Sequence, residues 1–251
     1  MNLNILLQKE KGFKKINIIN VKYKVQSTMK YLFSIEGNIG SGKSTLVDII
    51  LKKSNYILLQ EPVEEWNNIV DTNGETILQK LYTDPSKYSF SFQMMAYISR
   101  LKLLKETIKN APDNSVIITE RCLFTDREIF AKMLYDSGNI NEIEMQIYNK
   151  WFEYFNEIKV DGIIYLKVPA EECGIRIKSR NRKGEETIPL SYLRDCEDYH
   201  ERWIQSTDIP VLQIDSPIIE TGLVIETGPV IETGSWYSTI TDFISLKTLE
   251  K

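Results

Sequence analysis

Gly37, Asn38, Ile39, Gly40, Ser41, Gly42, Lys43, Ser44 and Thr45 fit the phosphate-binding pattern GxxxxGK[ST] at each required position. The pattern is entered from the apolar run Tyr31-Leu-Phe-Ser-Ile35 and followed by helix-like spacing from Leu46 to Lys53, so a strand, a tight loop and a helix N-terminus are expected in succession. Glycines let successive backbone N–H groups turn inward around phosphate oxygens, and the helix presents its positive end to the same anion. A nucleoside triphosphate is the expected ligand. Lys43 is placed to lie along its β- and γ-phosphates, and the Ser44 hydroxyl to face the Mg²⁺ that bridges them.

Four further short apolar runs read as strands: Tyr56 to Gln60, Ser115 to Thr119, Gly162 to Val168 and Pro210 to Ile214. Near-continuously apolar strands alternating with helical periodicity predict an α/β fold, a parallel sheet covered on both faces. Ligands of such sheets sit beyond the carboxyl ends of the strands. The first strand ends in the phosphate loop, the second in Glu61-Pro62 and the third in Glu120-Arg121, so three chemically loaded ends are expected at one cleft.

The chain has 251 residues, enough for one such domain with a sizeable core. A net charge of −4 argues against binding long nucleic acid. Cys122, Cys173 and Cys196 show no paired spacing, which points to a reducing, cytoplasmic compartment and away from a disulfide framework or zinc site. No apolar run approaches the ~20 residues that cross a bilayer, so no membrane contact is expected. Residues 1–29 hold six lysines, one glutamate and no arginine, and read as a weakly structured extension with Met29 as an alternative start. A mitochondrial leader would be richer in arginine and serine. Residues 30–251 then form the domain. Within it Ile218-Ile-Glu-Thr-Gly222 recurs with a period of six as Val224 to Gly228 and Val230 to Gly234. The resulting hexad insertion, 217–234, reads as a duplicated surface loop, with a closing helix from Ser235 to Leu249.

Glu61 is either a general base for a hydroxyl attacking phosphorus or a solvated loop acid. Glu120 can serve Mg²⁺ directly or through water, and Arg121 can grip phosphate or orient a carboxylate; a structural salt bridge is the competing account. Arg176 and Arg180 share a helical face and, with Arg182, form either a cluster that closes over the triphosphate or a solvated basic face. Trp66, Tyr82, Phe92, Phe124 and Phe130 offer flat walls for a ring, with Gln93, Arg100 and Asp126 as adjacent polar groups. Gln93 and Arg100 are two helical turns apart and share a face. His200, in Glu197-Asp-Tyr-His-Glu-Arg-Trp203, reads as a structural residue on a helix.

Taken together, these residues resemble the deoxyribonucleoside kinase family, the group of deoxycytidine, deoxyguanosine and mitochondrial thymidine kinases. The resemblance runs from about Lys30 to Asp215. It rests on the phosphate loop, Glu61-Pro-Val-Glu-Glu-Trp66, Leu81-Tyr-Thr-Asp-Pro85, Phe92-Gln93, Glu120-Arg121, the three arginines and Ile188-Pro-Leu-Ser-Tyr-Leu193. It implies a P-loop kinase fold, a five-stranded parallel sheet flanked by helices, with an Arg-rich lid at about 176–188. It implies ATP and Mg²⁺, with Glu61 as base for the 5′-hydroxyl of a deoxyribonucleoside, Arg121 holding it and Glu120 serving the metal. It also implies that Tyr82 and a lid acid, Glu185 or its neighbour Glu186, take the sugar 3′-hydroxyl. Gln93 would read the base edge, Phe130 and Trp66 would wall the ring, and a homodimer would form through helices beside the sheet. Where thymidine-accepting relatives are apolar, this chain has Arg100 and Asp126, which favours deoxycytidine or a deoxypurine over thymidine or broad specificity. The departures are Cys122 in place of the usual serine, and the hexad repeat after Asp215, where the family's loop packs against the adenine of ATP.

Two other classes are weaker. Asp71-Thr-Asn-Gly74 matches the DxxG pattern of GTPase switches, but no apolar strand precedes it and Asn149-Lys150-Trp-Phe152 lacks the aspartate of a guanine-reading motif. A nucleoside monophosphate kinase would need extra arginines for the acceptor phosphate.

Overall fold

The computed structural model describes residues 29–180, 185, 188–215 and 235–250. Residues 1–28 of the N-terminal extension, Arg182, Glu186 and the hexad repeat lie outside them. The five apolar runs form β1 (Tyr31–Gly37), β2 (Ile57–Leu59), β3 (Val116–Glu120), β4 (Gly162–Lys167) and β5 (Val211–Asp215). All pairings are parallel, in the order β2-β3-β1-β4-β5. The sheet is therefore the doubly covered α/β sheet expected from the apolar runs.

All five strands shift by one or two residues from their expected bounds, and for β1 and β2 the physical reason is plain. β1 runs on past Ile35 because β4 pairs Glu36 with Tyr165 and Gly37 with Leu166. β2 is shorter than Tyr56 to Gln60 because, as an edge strand, it pairs only with β3, from Ile57↔Ile117 to Leu59↔Thr119.

Successive strand side chains point to opposite faces, and the core divides accordingly. Leu32, Ile117, Ile163 and Tyr165 pack on one face; Phe33, Ile35, Ile118, Ile164 and Leu166 pack on the other. The first face is covered by α4 (Pro85–Asn110) and α7 (Glu142–Phe155), which meet through Tyr97, Tyr148 and Phe152. α1 (Lys43–Lys53) and α10 (Ser235–Leu249) cover the second. Trp236, Ile240 and Ile244 of α10 face this core, and Phe243 meets Phe33 edge-on at 6.0 Å. This is the closing helix expected from the sequence.

Several short elements frame the strand ends. α2 (Val63–Asn67) follows β2, and α3 (Ile77–Thr83) starts at a capping box between Thr76 and Gln79. After β3 come α5 (Leu123–Thr125), a π-helical turn (Asp126–Ala131) and α6 (Lys132–Asp136). α8 (Ala170–Arg180) and α9 (Leu190–Ser206) pack on one another beyond β4, around Cys173, Ile177 and Leu193. Among the described residues no helix is long and apolar enough to cross a membrane. His200 is buried on α9, its Nδ1 2.6 Å from the Cys196 carbonyl and its ring stacked on Tyr165; burial pushes its pKa down to about 3.

Candidate active site

The phosphate loop is shaped by crowding as much as by local freedom. A Cβ on Gly37, at φ +145°, would lie 2.7 Å from the Leu166 carbonyl of β4. One on Gly40, at φ +81°, would lie 2.7 Å from the Cys173 carbonyl of α8. Both backbones are in the region that favours glycine. Asn38 ties the loop to α9: its Nδ2 donates to the Leu193 carbonyl at 2.7 Å, while Oδ1 accepts from the Ile39 amide at 2.8 Å. Arg176 secures it from α8, donating from Nη1 to the Ser41 carbonyl at 3.0 Å. Lys43 is buried and folded back, its ammonium donating to the Gly37 and Asn38 carbonyls at 3.0 and 2.7 Å. Burial, with help from Arg121, pulls its pKa down to about 8 against the carboxylates of Glu120, Glu61 and Glu36.

The three loaded strand ends converge as expected. Ser44 donates to Glu120, whose two carboxylate oxygens both lie 3.1 Å from the hydroxyl. Arg121 Nη1 reaches both oxygens of Glu61, at 2.9 and 2.8 Å. Arg100 Nη2 donates to the same carboxylate at 2.8 Å. Burial alone would raise the Glu61 pKa, but Arg121, Arg100 and Lys43 outweigh it and bring it down to about 2. Arg100 also forks onto Asp126, from Nε at 2.9 Å and Nη2 at 3.3 Å, and donates to the Glu120 carbonyl at 2.8 Å. Lys43, Arg100 and Arg121 thus balance Glu61, Glu120 and Asp126. Buried charges persist only when paired in this way.

A cavity of about 260 Å³ opens beside this network. Ile39, Gly40, Gly42, Lys43, Ser44 and Thr45 of the loop line it, with Glu61, Glu120 and Arg121. Its apolar walls include Trp66, Phe92 and Phe130. Trp66 is fixed by an Nε1–H bond to Ser99 at 2.9 Å and an edge-on contact with Phe92 at 5.3 Å. Phe130 lies under the Arg121 guanidinium, 5.0 Å from it. Gln93 and Asp126 face the cavity, and the buried Gln93 Oε1 has no partner among the described residues. Tyr82 and Glu185 line the far side, with Arg180 donating to Glu185 from Nε at 2.8 Å. The Tyr82 hydroxyl is pushed well up by burial.

Gly37, Asn38 and Ser41 shape the loop from behind the cavity lining, and four further expected site residues stand apart from it. Arg100 is 2% exposed and wholly engaged by two carboxylates and a carbonyl behind Asp126. Arg176 holds the loop backbone and pairs with Glu172. Phe124 packs against Phe152 in the core. Asp215 lies at the end of the edge strand β5, where its carboxylate accepts from Gln213 at 2.7 Å. The DxxG match is a local turn: Asp71 Oδ1 caps the Asn73 and Glu75 amides and its carboxylate pairs with Lys80. Asn149 and Lys150 sit in the middle of α7.

Sequence reasoning passed over three features. The π-helical turn brings Asp126 and Phe130 to the same cavity, and such turns recur at functional sites. No composition signal marks it. Tyr192 lines the cavity and meets Tyr82 edge-on at 6.3 Å; it lies inside the Ile188 to Leu193 run but carried no assigned role. Glu36, an acid inside an apolar strand, is fully buried next to the loop.

Residues 33–222 match the family model for deoxynucleoside kinases. The chain is 41% identical over 190 residues to a probable deoxycytidine kinase of fowlpox virus, covering 72% of this chain and 77% of that one. It is 36% identical over 214 residues to deoxycytidine kinase of Homo sapiens, covering 72% and 82%. It is also 36% identical over 191 residues to mitochondrial deoxyguanosine kinase of Xenopus laevis, covering 68% and 72%. With the sheet, loop and cavity already described, these matches identify the chain as a member of the deoxynucleoside kinase family, a phosphotransferase that acts on deoxynucleosides.

Proposed function

We propose that this kinase transfers the γ-phosphoryl group of ATP to the 5′-hydroxyl of deoxycytidine or a deoxypurine nucleoside, giving a 5′-monophosphate for nucleotide salvage. One observation carries this reading: a single cavity joins the phosphate loop to a carboxylate, Glu61, clamped by two guanidiniums beside an aromatic slot. Displacement is in line and needs no covalent enzyme intermediate. Glu61 orients the 5′-hydroxyl and accepts its proton. A carboxyl held near pKa 2 is a weak base, which suits a loose transition state in which the proton leaves late. Arg121 keeps both Glu61 oxygens aligned. Lys43 and Arg180, with Arg182, neutralise charge on the transferred group, and Arg176 keeps the loop in shape.

Ser44 and Glu120 offer hard oxygen donors side by side, the chemistry Mg²⁺ prefers, and would hold it. When bound it would supply charge neutralisation for the transferred phosphoryl group. Asp215, at the end of β5, would contribute to the ATP side.

On the acceptor side, Trp66, Phe92 and Phe130 wall the ring, while Tyr82 and Glu185 take the 3′-hydroxyl. Gln93 and Asp126 present acceptors to an amino-bearing base edge, and Arg100 fixes Asp126 from behind. Thymine brings a carbonyl where these acceptors stand, leaving buried polar groups unpaired. Of the arginines that line the cavity among the described residues, Arg121 is engaged by Glu61 and Arg180 by Glu185, which argues against an acceptor phosphate.

Ile143, Ile147, Trp151 and Tyr154 are exposed at helical spacing along α7. This stripe supports a homodimer through α7, to be checked by sedimentation. Three free, buried cysteines suit a cytoplasmic setting.

ATP-dependent phosphorylation across the four deoxynucleosides, with Glu61→Gln alongside, tests the reading. Deoxycytidine or a deoxypurine is expected to be preferred and the variant to lose turnover. Undiminished turnover removes Glu61 from its role, and thymidine as best substrate overturns the base assignment.

A further inference from the structure

The Arg121 backbone adopts φ +63°, the left-handed region. For a residue with a side chain this costs about 1–2 kcal/mol, so the surroundings must hold it there. Part of the restraint is local. The Arg121 amide donates to the Ile35 carbonyl at 3.0 Å, and its carbonyl accepts from the Thr119 hydroxyl at 2.9 Å.

The rest runs to a side chain with no place in the reaction. The amide of Cys122, the next residue, donates to Thr125 Oγ1 at 3.2 Å, and the Thr125 hydroxyl donates to Glu36 Oε1 at 2.7 Å. Ser34, two residues back on the same face of β1, donates to that same oxygen. Glu36 is fully buried and does not line the cavity. Burying a carboxyl at the root of an active site is costly, and no ion pair offsets it here among the described residues. Burial instead pushes this carboxyl above the ordinary carboxylate range. An acid kept at this cost has a structural task beside the chemistry.

We propose that Glu36 is a positioning residue: through the Thr125 hydroxyl and the Cys122 amide it locks the left-handed turn at Arg121, so that the guanidinium meets both oxygens of Glu61. The mechanism needs that alignment, and this inference rests on the reading of Glu61 as acceptor of the hydroxyl proton. The phosphate loop, by contrast, hangs on Asn38, Arg176 and close backbone contacts. Loss of the lock therefore acts on turnover and spares the binding of ATP.

Thr125→Val removes the hydroxyl and Thr125→Ser restores it. Thr125→Val is expected to lower kcat by about 10- to 100-fold, the scale of a small misplacement of a catalytic group, with the KM for ATP within about twofold. Thr125→Ser returns kcat toward wild type. In a Glu61→Gln background the Thr125→Val change adds little, because its effect passes through Glu61. Glu36→Gln, which keeps an acceptor for both hydroxyls, against Glu36→Ala gives the same comparison if Thr125→Val does not fold, with thermal unfolding monitored throughout. An unchanged kcat in folded Thr125→Val, or an equal loss in the Glu61→Gln background, overturns the proposal. A normal loss in Glu61→Gln alone with no effect at Thr125 defeats only this inference. Undiminished turnover in Glu61→Gln removes the role of Glu61 on which it rests.

Discussion

The two halves of the cavity are built by different means. The phosphate side is a backbone object: nine consecutive residues, with Gly37 and Gly40 pressed against carbonyls of β4 and α8. The side proposed for the nucleoside is a side-chain object, in which Glu61, Arg100, Arg121 and Asp126 come from four separate segments and meet as alternating charges. A backbone site fails by a steric intrusion at one point. A charge network fails as a unit, since removing one partner leaves the others buried and unpaired.

The largest break in this contrast is expected at Glu61. Glu61→Gln removes the proposed proton acceptor and keeps the volume, so kcat should fall by about 10²–10⁴ while ATP affinity stays near wild type. Steady-state kinetics with both substrates varied measures this. Next comes Arg100→Met, which conserves bulk but leaves Glu61 and Asp126 without their shared cation. A stability loss of about 3–5 kcal/mol is expected, read as a lowered midpoint in urea. A loss within 1 kcal/mol would show that the acceptor side is not a coupled network.

The same contrast explains what was legible in the sequence. The donor half could be read from one window, because glycine spacing and a following helix specify it locally. The five strands could be read because each is a near-continuously apolar run set between helical segments, interrupted only by single polar positions such as Ser34 and Gln213, and the strand-end rule brought Glu61, Glu120 and Arg121 together. The partnership of Arg100 was not legible. Its spacing from Gln93 gave the shared face of α4, but not that two carboxylates and the Glu120 carbonyl would occupy all its reach. Long-range pairing of this kind has no periodic signature. Neither does the π-helical turn that aims Asp126 and Phe130.

Gly40→Ala probes the backbone side with a smaller effect. The added methyl meets a left-handed φ and the Cys173 carbonyl, and α8 must give way. The left-handed cost alone is about 1–2 kcal/mol, or roughly 5- to 30-fold in ATP affinity. Nucleoside affinity, measured separately by calorimetry, should not follow. Parallel losses in both would mean that the two halves are mechanically one.

The smallest effect separates the halves by pH. Lys43 on the donor side has its pKa drawn down to about 8 before the triphosphate arrives, while Glu61 on the acceptor side is held near 2. Only the charged ammonium attracts phosphate, so ATP affinity should fall as pH rises through 8, by about tenfold between pH 7 and pH 9. Nucleoside affinity should stay flat over that range, since Glu61 remains ionised and both guanidiniums remain charged. Glu61 responds only in acid. Its folded pKa lies below the ordinary 4.5, so its contribution to stability is complete above 4.5 and disappears as pH falls toward 2. A nucleoside affinity that tracks the alkaline loss of ATP affinity would place Lys43 in both halves and dissolve the contrast between them.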